Sequence, residues 1–131
     1  MRPSLVLVAT LVATVVAGAA VPASAAKPPP EARVIGPAIG CVNIRNIRQT
    51  NVHDDKTIDF VMNGKKLYRN TLPNSCPQLG FERSFSYETS QPQLCNVDII
   101  TVLMQGGGMR RGASCGLGKF TPIESIKKSK S

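Results

Sequence analysis

Four cysteines constrain this chain more than any other feature. Cys41, Cys76, Cys95 and Cys115 are widely spaced, and all lie after a segment that reads as an export leader. One charge at Arg2 precedes an uncharged apolar run from Leu5 to Ala20, and Pro22 then leads into Ala23-Ser24-Ala25, the small-x-small pattern of a signal peptidase site. Residues 1–25 are read as a signal peptide rather than a retained membrane span, because no basic stop-transfer cluster follows the apolar run. An even number of cysteines in an exported chain points to two disulfides. Ala38-Ile39-Gly40-Cys41 has the look of a lipidation box, but Lys27, Glu31 and Arg33 separate it from the apolar run, so Cys41 reads as a half-cystine.

Removal of residues 1–25 from the 131 leaves 106, enough for one hydrophobic core and too few for two. The four cysteines allow three pairings. Chain entropy does not separate the nested pairing from neighbours in order, which differ by less than ~1 kcal/mol. Topology favours the nested one, Cys41 with Cys115 and Cys76 with Cys95, since Cys41 opens the first legible strand and Cys115 the last.

Residues 26–40 contain Pro28-Pro29-Pro30 and little apolar periodicity, so they are expected to form an extended, mobile linker. From Cys41 to Ile123 the chain is a succession of short β-branched runs broken by turn residues. This predicts an all-β domain over 41–123, a single small antiparallel barrel or sandwich stapled by two disulfides. Asn63-Gly64 joins Ile58–Met62 to Lys66–Arg69 as a hairpin in one of two registers. A two-residue turn sets Phe60 opposite Leu67, and a three-residue loop sets Asp59 opposite Arg69. His53-Asp54-Asp55-Lys56 reads as a second turn. Pro73, Pro77 and Gly80 exclude a central strand and predict one short helical turn near 74–80. Phe81–Glu88 returns to alternation. Val97–Met104, apolar on both faces, is expected to be a central strand buried on both sides. Gly106–Gly112 reads as an exposed loop, Cys115–Phe120 as the closing strand, and 124–131 as a disordered basic tail.

Tyr68-Arg69-Asn70, Leu72-Pro73, Cys76-Pro77, Phe85-Ser86-Tyr87, Leu94-Cys95 with Asp98, and Cys115-Gly116-Leu117-Gly118-Lys119-Phe120 together resemble a family of small exported proteobacterial proteins classed as a domain of unknown function. The resemblance spans about Cys41 to Ile123. It implies the periplasm of a Gram-negative bacterium and implies no activity, cofactor or catalytic residue.

The chemistry legible in the residues is sparse. His53, the one histidine, sits beside Asp54 and Asp55, yet no glycine-flanked serine elbow accompanies it. No second histidine is available for a metal, and the spaced acidic loop of a calcium site is absent. Redox catalysis wants Cys-x-x-Cys, whereas the closest pair here is Cys76 and Cys95. The glycine-rich loop lacks the Gly-Lys-Ser/Thr ending of a phosphate cradle. No cofactor is therefore expected. The candidate ligand residues are Tyr68, Arg69, Asn70 and Asp98, since a guanidinium beside an amide and a phenol can read an anionic or sugar-like group.

The formal charge of +8 becomes +7 when Arg2 leaves. Basic residues recur at Arg45, Arg48, Lys65, Lys66, Arg69, Arg83, Arg110 and Arg111, with Lys127, Lys128 and Lys130 at the end, a spread that reads first as a solvated surface and second as attraction to polyanions. Outside the cytoplasm this attracts anionic lipid headgroups and envelope polymers, not nucleic acid. The expectation is a non-enzymatic periplasmic module that binds an envelope protein or an anionic envelope polymer, with no membrane span in the mature chain. The alternative is a hydrolase of such a polymer, working through Asp98 or the His53-Asp54-Asp55 group.

Overall fold

The computed structural model describes residues 29–126. Apart from Ala13 and Gly18, the expected signal peptide lies outside the described residues, as does 127–131 of the expected tail. The fold is all-β and antiparallel, with a five-stranded sheet, a three-stranded sheet and a two-stranded ribbon. The larger sheet has the order β1 (Ala32–Val34), β10 (Phe120–Ser125), β5 (Leu67–Thr71), β4 (Thr57–Met62), β3 (Ile47–Val52). The smaller has β6 (Phe85–Tyr87), β8 (Ile99–Met104), β9 (Arg110–Gly116), and the ribbon pairs β2 (Cys41–Asn43) with β7 (Gln93–Cys95).

Alternation along β4 places Ile58, Phe60 and Met62 in the core and turns Thr57, Asp59 and Val61 to the other face. Phe60 meets Phe120 of its own sheet at 5.3 Å between ring centroids and Phe85 of the smaller sheet at 6.4 Å, both edge to face. Ile100 and Val102 from β8, Leu94 from β7 and Val42 from β2 close the same core, so the sheets form a sandwich around one apolar interior.

The β4–β5 hairpin takes the three-residue register: Asp59 faces Arg69, Phe60 faces Tyr68, and Val61 faces Leu67. Gly64 and Lys65 both sit in the left-handed region, with φ of 76° and 60°, and Met62 N–H donates to Lys66 O. His53–Lys56 forms the expected turn at the other end of β4.

Several expectations fail for physical reasons. The disulfides join Cys41 to Cys95 and Cys76 to Cys115, so the pairing is crossed and not nested. Cys41 lies directly opposite Cys95 in the β2–β7 ribbon, which leaves neither free for another partner. The linker is not loose: Ala32–Val34 pairs with β10, and Ile39 bridges Phe120. Cys115 belongs to β9, and the closing strand starts only at Phe120 and runs through Pro122. Pro122 O accepts from Ile35 N–H on the β1 side. The two polar positions of a strand residue share one side, so the missing N–H also faces the short edge strand and the β5 ladder is intact. Residues 124 and 125, expected in the tail, complete β10.

The helical turn, α1 (Leu79–Glu82), begins later than expected and takes up Phe81, which is 84% exposed and which alternation assigns to a strand. Gly80 lies inside the helix and not past its end. It packs there so closely on Asp54 that an added Cβ would lie 3.0 Å from that residue's backbone. β8 is the middle strand of its sheet, but only Ile100 and Val102 are buried. Ile99 is 58% exposed on the opposite face, and Val97, just before the strand, is 81% exposed.

Candidate functional site

Tyr68, Arg69, Asn70 and Asp98 are not gathered in one place. Tyr68 and Asn70 share the inward side of β5 with Phe60, while Arg69 lies outward beside Asp59. Asn70 is wholly buried. Its Nδ2 donates to Gly118 O at 2.7 Å and its Oδ1 accepts from Gly118 N–H at 2.8 Å. The amide thus fastens β5 to the loop before β10. Gly118 approaches so closely that a Cβ there would lie 2.1 Å from Thr71 O. Asp98, beyond the other sheet, accepts from Cys95 N–H at 2.6 Å and from Leu117 N–H through its own carbonyl at 3.1 Å. It is a turn-capping acid.

Asp59 is the residue that sequence reasoning missed. It is 7% exposed and accepts two bonds from Arg69, from Nε at 2.7 Å and from Nη2 at 2.9 Å, while His53 Nε2 lies 2.8 Å from its Oδ2. Arg69 also donates to Pro30 O at 2.9 Å, which ties that residue to the outer face of the sheet. Hydrogen bonding to Asp59 raises the Arg69 pKa above the usual arginine value, against the opposing effect of burial and with help from the Asp59 and Asp54 charges. The only hint in the sequence was the three-residue hairpin register that sets Asp59 against Arg69.

His53, Asp54 and Asp55 do line one cavity, of about 820 Å³, together with Phe81 and Arg83. Their polar groups hold the fold together, however. Asp54 accepts from Lys56 N–H at 2.8 Å, and Asp55 accepts from Gly80 N–H at 2.7 Å through its side chain and from Cys76 N–H at 2.8 Å through its carbonyl. Among the described residues no group of three or more His, Cys, Asp or Glu side chains is placed to hold a metal, and no helix is long and apolar enough to cross a membrane.

The opposite end of the meander is basic. A bulge in β3 leaves Arg48 without a cross-strand partner, between Ile47 opposite Met62 and Gln49 opposite Val61. Its Nε donates to Asn63 Oδ1 in the β4–β5 turn. Asn63 Nδ2 donates in turn to Asn46 Oδ1 at 3.3 Å, and Asn46 closes a 3₁₀ turn (Ile44–Asn46) capped by Asn43 Oδ1. An amide relay thus positions Arg48 without neutralising it. Arg45, Arg48, Lys65 and Lys66 are exposed at this end. Among the described residues none of the four has a carboxylate within ion-pair distance.

No family model, curated protein or solved structure matches this chain.

Proposed function

We propose that this chain is an exported, non-enzymatic binding module of the Gram-negative periplasm, holding an anionic envelope polymer through the basic end of its larger sheet. The observation that carries the reading is the set of four exposed cations without acidic partners, brought together from the 3₁₀ turn (Arg45), β3 (Arg48) and the β4–β5 turn (Lys65 and Lys66). Two disulfides suit an oxidising compartment, where the accessible polyanions are envelope components. Two cavities stand on the side of a hydrolase, the one beside His53, Asp54 and Asp55 and one of about 380 Å³ lined by Asp98 and Glu88. Binding is preferred because Asp54, Asp55 and Asp98 are engaged by backbone amides and His53 by Asp59.

Retention of the mature protein on purified lipopolysaccharide tests the proposal. Retention is expected at low ionic strength, with loss at high salt and in the R45E/R48E and K65E/K66E variants. Retention equal in wild type and both variants would overturn it. So would release of sugar from the polymer by the purified protein.

A further inference from the structure

At the basic end, a cleft of about 210 Å³ opens between the 3₁₀ turn that follows β2 and the β4–β5 turn. Val42 and Met62 supply an apolar floor, and Asn43, Asn46, Asn63 and Lys66 form its polar walls, with Tyr68 beside them. The volume lies below the ~300 Å³ at which drug-sized sites begin, and suits one small unit of a larger ligand.

The three amides have orientations that follow from unambiguous donors. Asn43 accepts from the backbone N–H of Arg45, so its oxygen points there. Asn63 accepts from Arg48 Nε, which can only donate, so its oxygen faces Arg48 and its nitrogen faces Asn46. Asn46 must then present its oxygen to Asn63. Each asparagine oxygen around the cleft thereby accepts one bond from a neighbour, whereas the remaining donors have none. What remains is the Nδ2 of Asn43 and of Asn46, the ammonium of Lys66 and the Tyr68 hydroxyl, none of which has a hydrogen-bond partner among the described residues. Three of these four groups can only donate, and no carboxylate lines the cleft.

A wall of donors over an apolar floor selects a ligand rich in acceptors, negatively charged, and apolar on one face. We propose that the cleft binds a single anionic sugar residue, its phosphate or carboxylate on Lys66 and the free asparagine amides and its ring over Val42 and Met62. This rests on the reading of the chain as a binder of anionic envelope polymer and names the unit that is recognised.

Heteronuclear NMR titration of the mature protein with glucose 6-phosphate, glucuronate, glucose and inorganic phosphate tests it. Both anionic sugars should shift the Asn43, Asn46 and Lys66 signals at millimolar concentration. Glucose should not, and inorganic phosphate should bind about tenfold more weakly than glucose 6-phosphate. The N46A and K66Q variants should each weaken glucose 6-phosphate about tenfold or more, with an unchanged melt showing that they fold; Y68F provides a third variant with the ring kept.

Glucose binding as tightly as the anionic sugars would overturn the charge requirement, and phosphate alone binding as tightly as glucose 6-phosphate would overturn the role of the ring. Absence of shifts with either anionic sugar, or affinity unchanged in N46A, K66Q and Y68F together, would remove the site. Lipopolysaccharide retention that survives N46A and K66Q but fails in R45E/R48E would likewise remove this cleft while leaving the binding module standing.

Discussion

The two turns that cap the β3–β4–β5 meander are similar in length and opposite in character. At His53–Lys56 the carboxylates of Asp54 and Asp55 hold backbone amides, His53 lies on Asp59, and Asp59 grips Arg69. Leu72 and Cys76 donate into the carbonyls of the same turn. At Asn63–Lys66 the asparagines arrange one another and Arg48, and the lysines face solvent. A turn whose carboxylates and histidine are answered from within the chain serves the fold. One that leaves donors of a single kind unanswered is available to something else. Where charged residues are few, the contrast between the two ends tells more than net charge does.

Breaking the closed end should have the largest effect. The D59A variant leaves the half-buried Arg69 without its partner and should lose about 3 kcal/mol or more in urea unfolding, whereas D59L/R69M should recover most of that loss. A raised arginine pKa means that the Arg69 contribution is fully present at neutral pH and lost only as the pH rises into strong alkali, so raising the pH from 7 to 9 should not weaken it. The C76S/C115S variant frees the segment docked on Asp55 and should lose about 2–4 kcal/mol by the same measurement. Next in size, D55A removes the acceptor for the Gly80 N–H and should cost about 1–2 kcal/mol, with faster hydrogen exchange confined to Leu79–Glu82. The open end should respond least: K65E/K66E should change stability by no more than about 0.5 kcal/mol while abolishing retention on lipopolysaccharide. Equal destabilisation by D55A and K65E/K66E would erase the distinction between the two turns.

Local patterns legible in the sequence survive into the structure. Asn63-Gly64 makes its hairpin and His53–Lys56 its turn, because a tight turn is determined by the few residues in it. The all-β class follows from the same short-range cues. What was not legible depends on partners distant in sequence. Ala32–Val34 is a strand only because β10 offers it an edge, and Pro122 is tolerated in β10 only because that edge partner is short. The cystine pairing followed from the unseen ribbon that sets Cys41 opposite Cys95.

The candidate site failed on a point the sequence did contain. Tyr68, Arg69 and Asn70 are consecutive in a strand, and the pleat sends the middle one to the opposite face, so the three could not converge on one ligand. The register that pairs Asp59 with Arg69 was visible as one of two alternatives, but its burial was not. Burial there depends on Pro30 and its neighbours crossing the sheet, which no periodicity announces.

The crossed cystines have a bearing on survival among proteases. With Cys41 joined to Cys95 and Cys76 to Cys115, one cleavage anywhere between Cys41 and Cys115 leaves both fragments covalently attached. Two cleavages flanking the Cys76–Cys95 stretch would release the middle piece of a nested arrangement, but here that piece stays tethered to both neighbours. A nicked copy would therefore migrate as one species on a non-reducing gel and fall into fragments only after reduction.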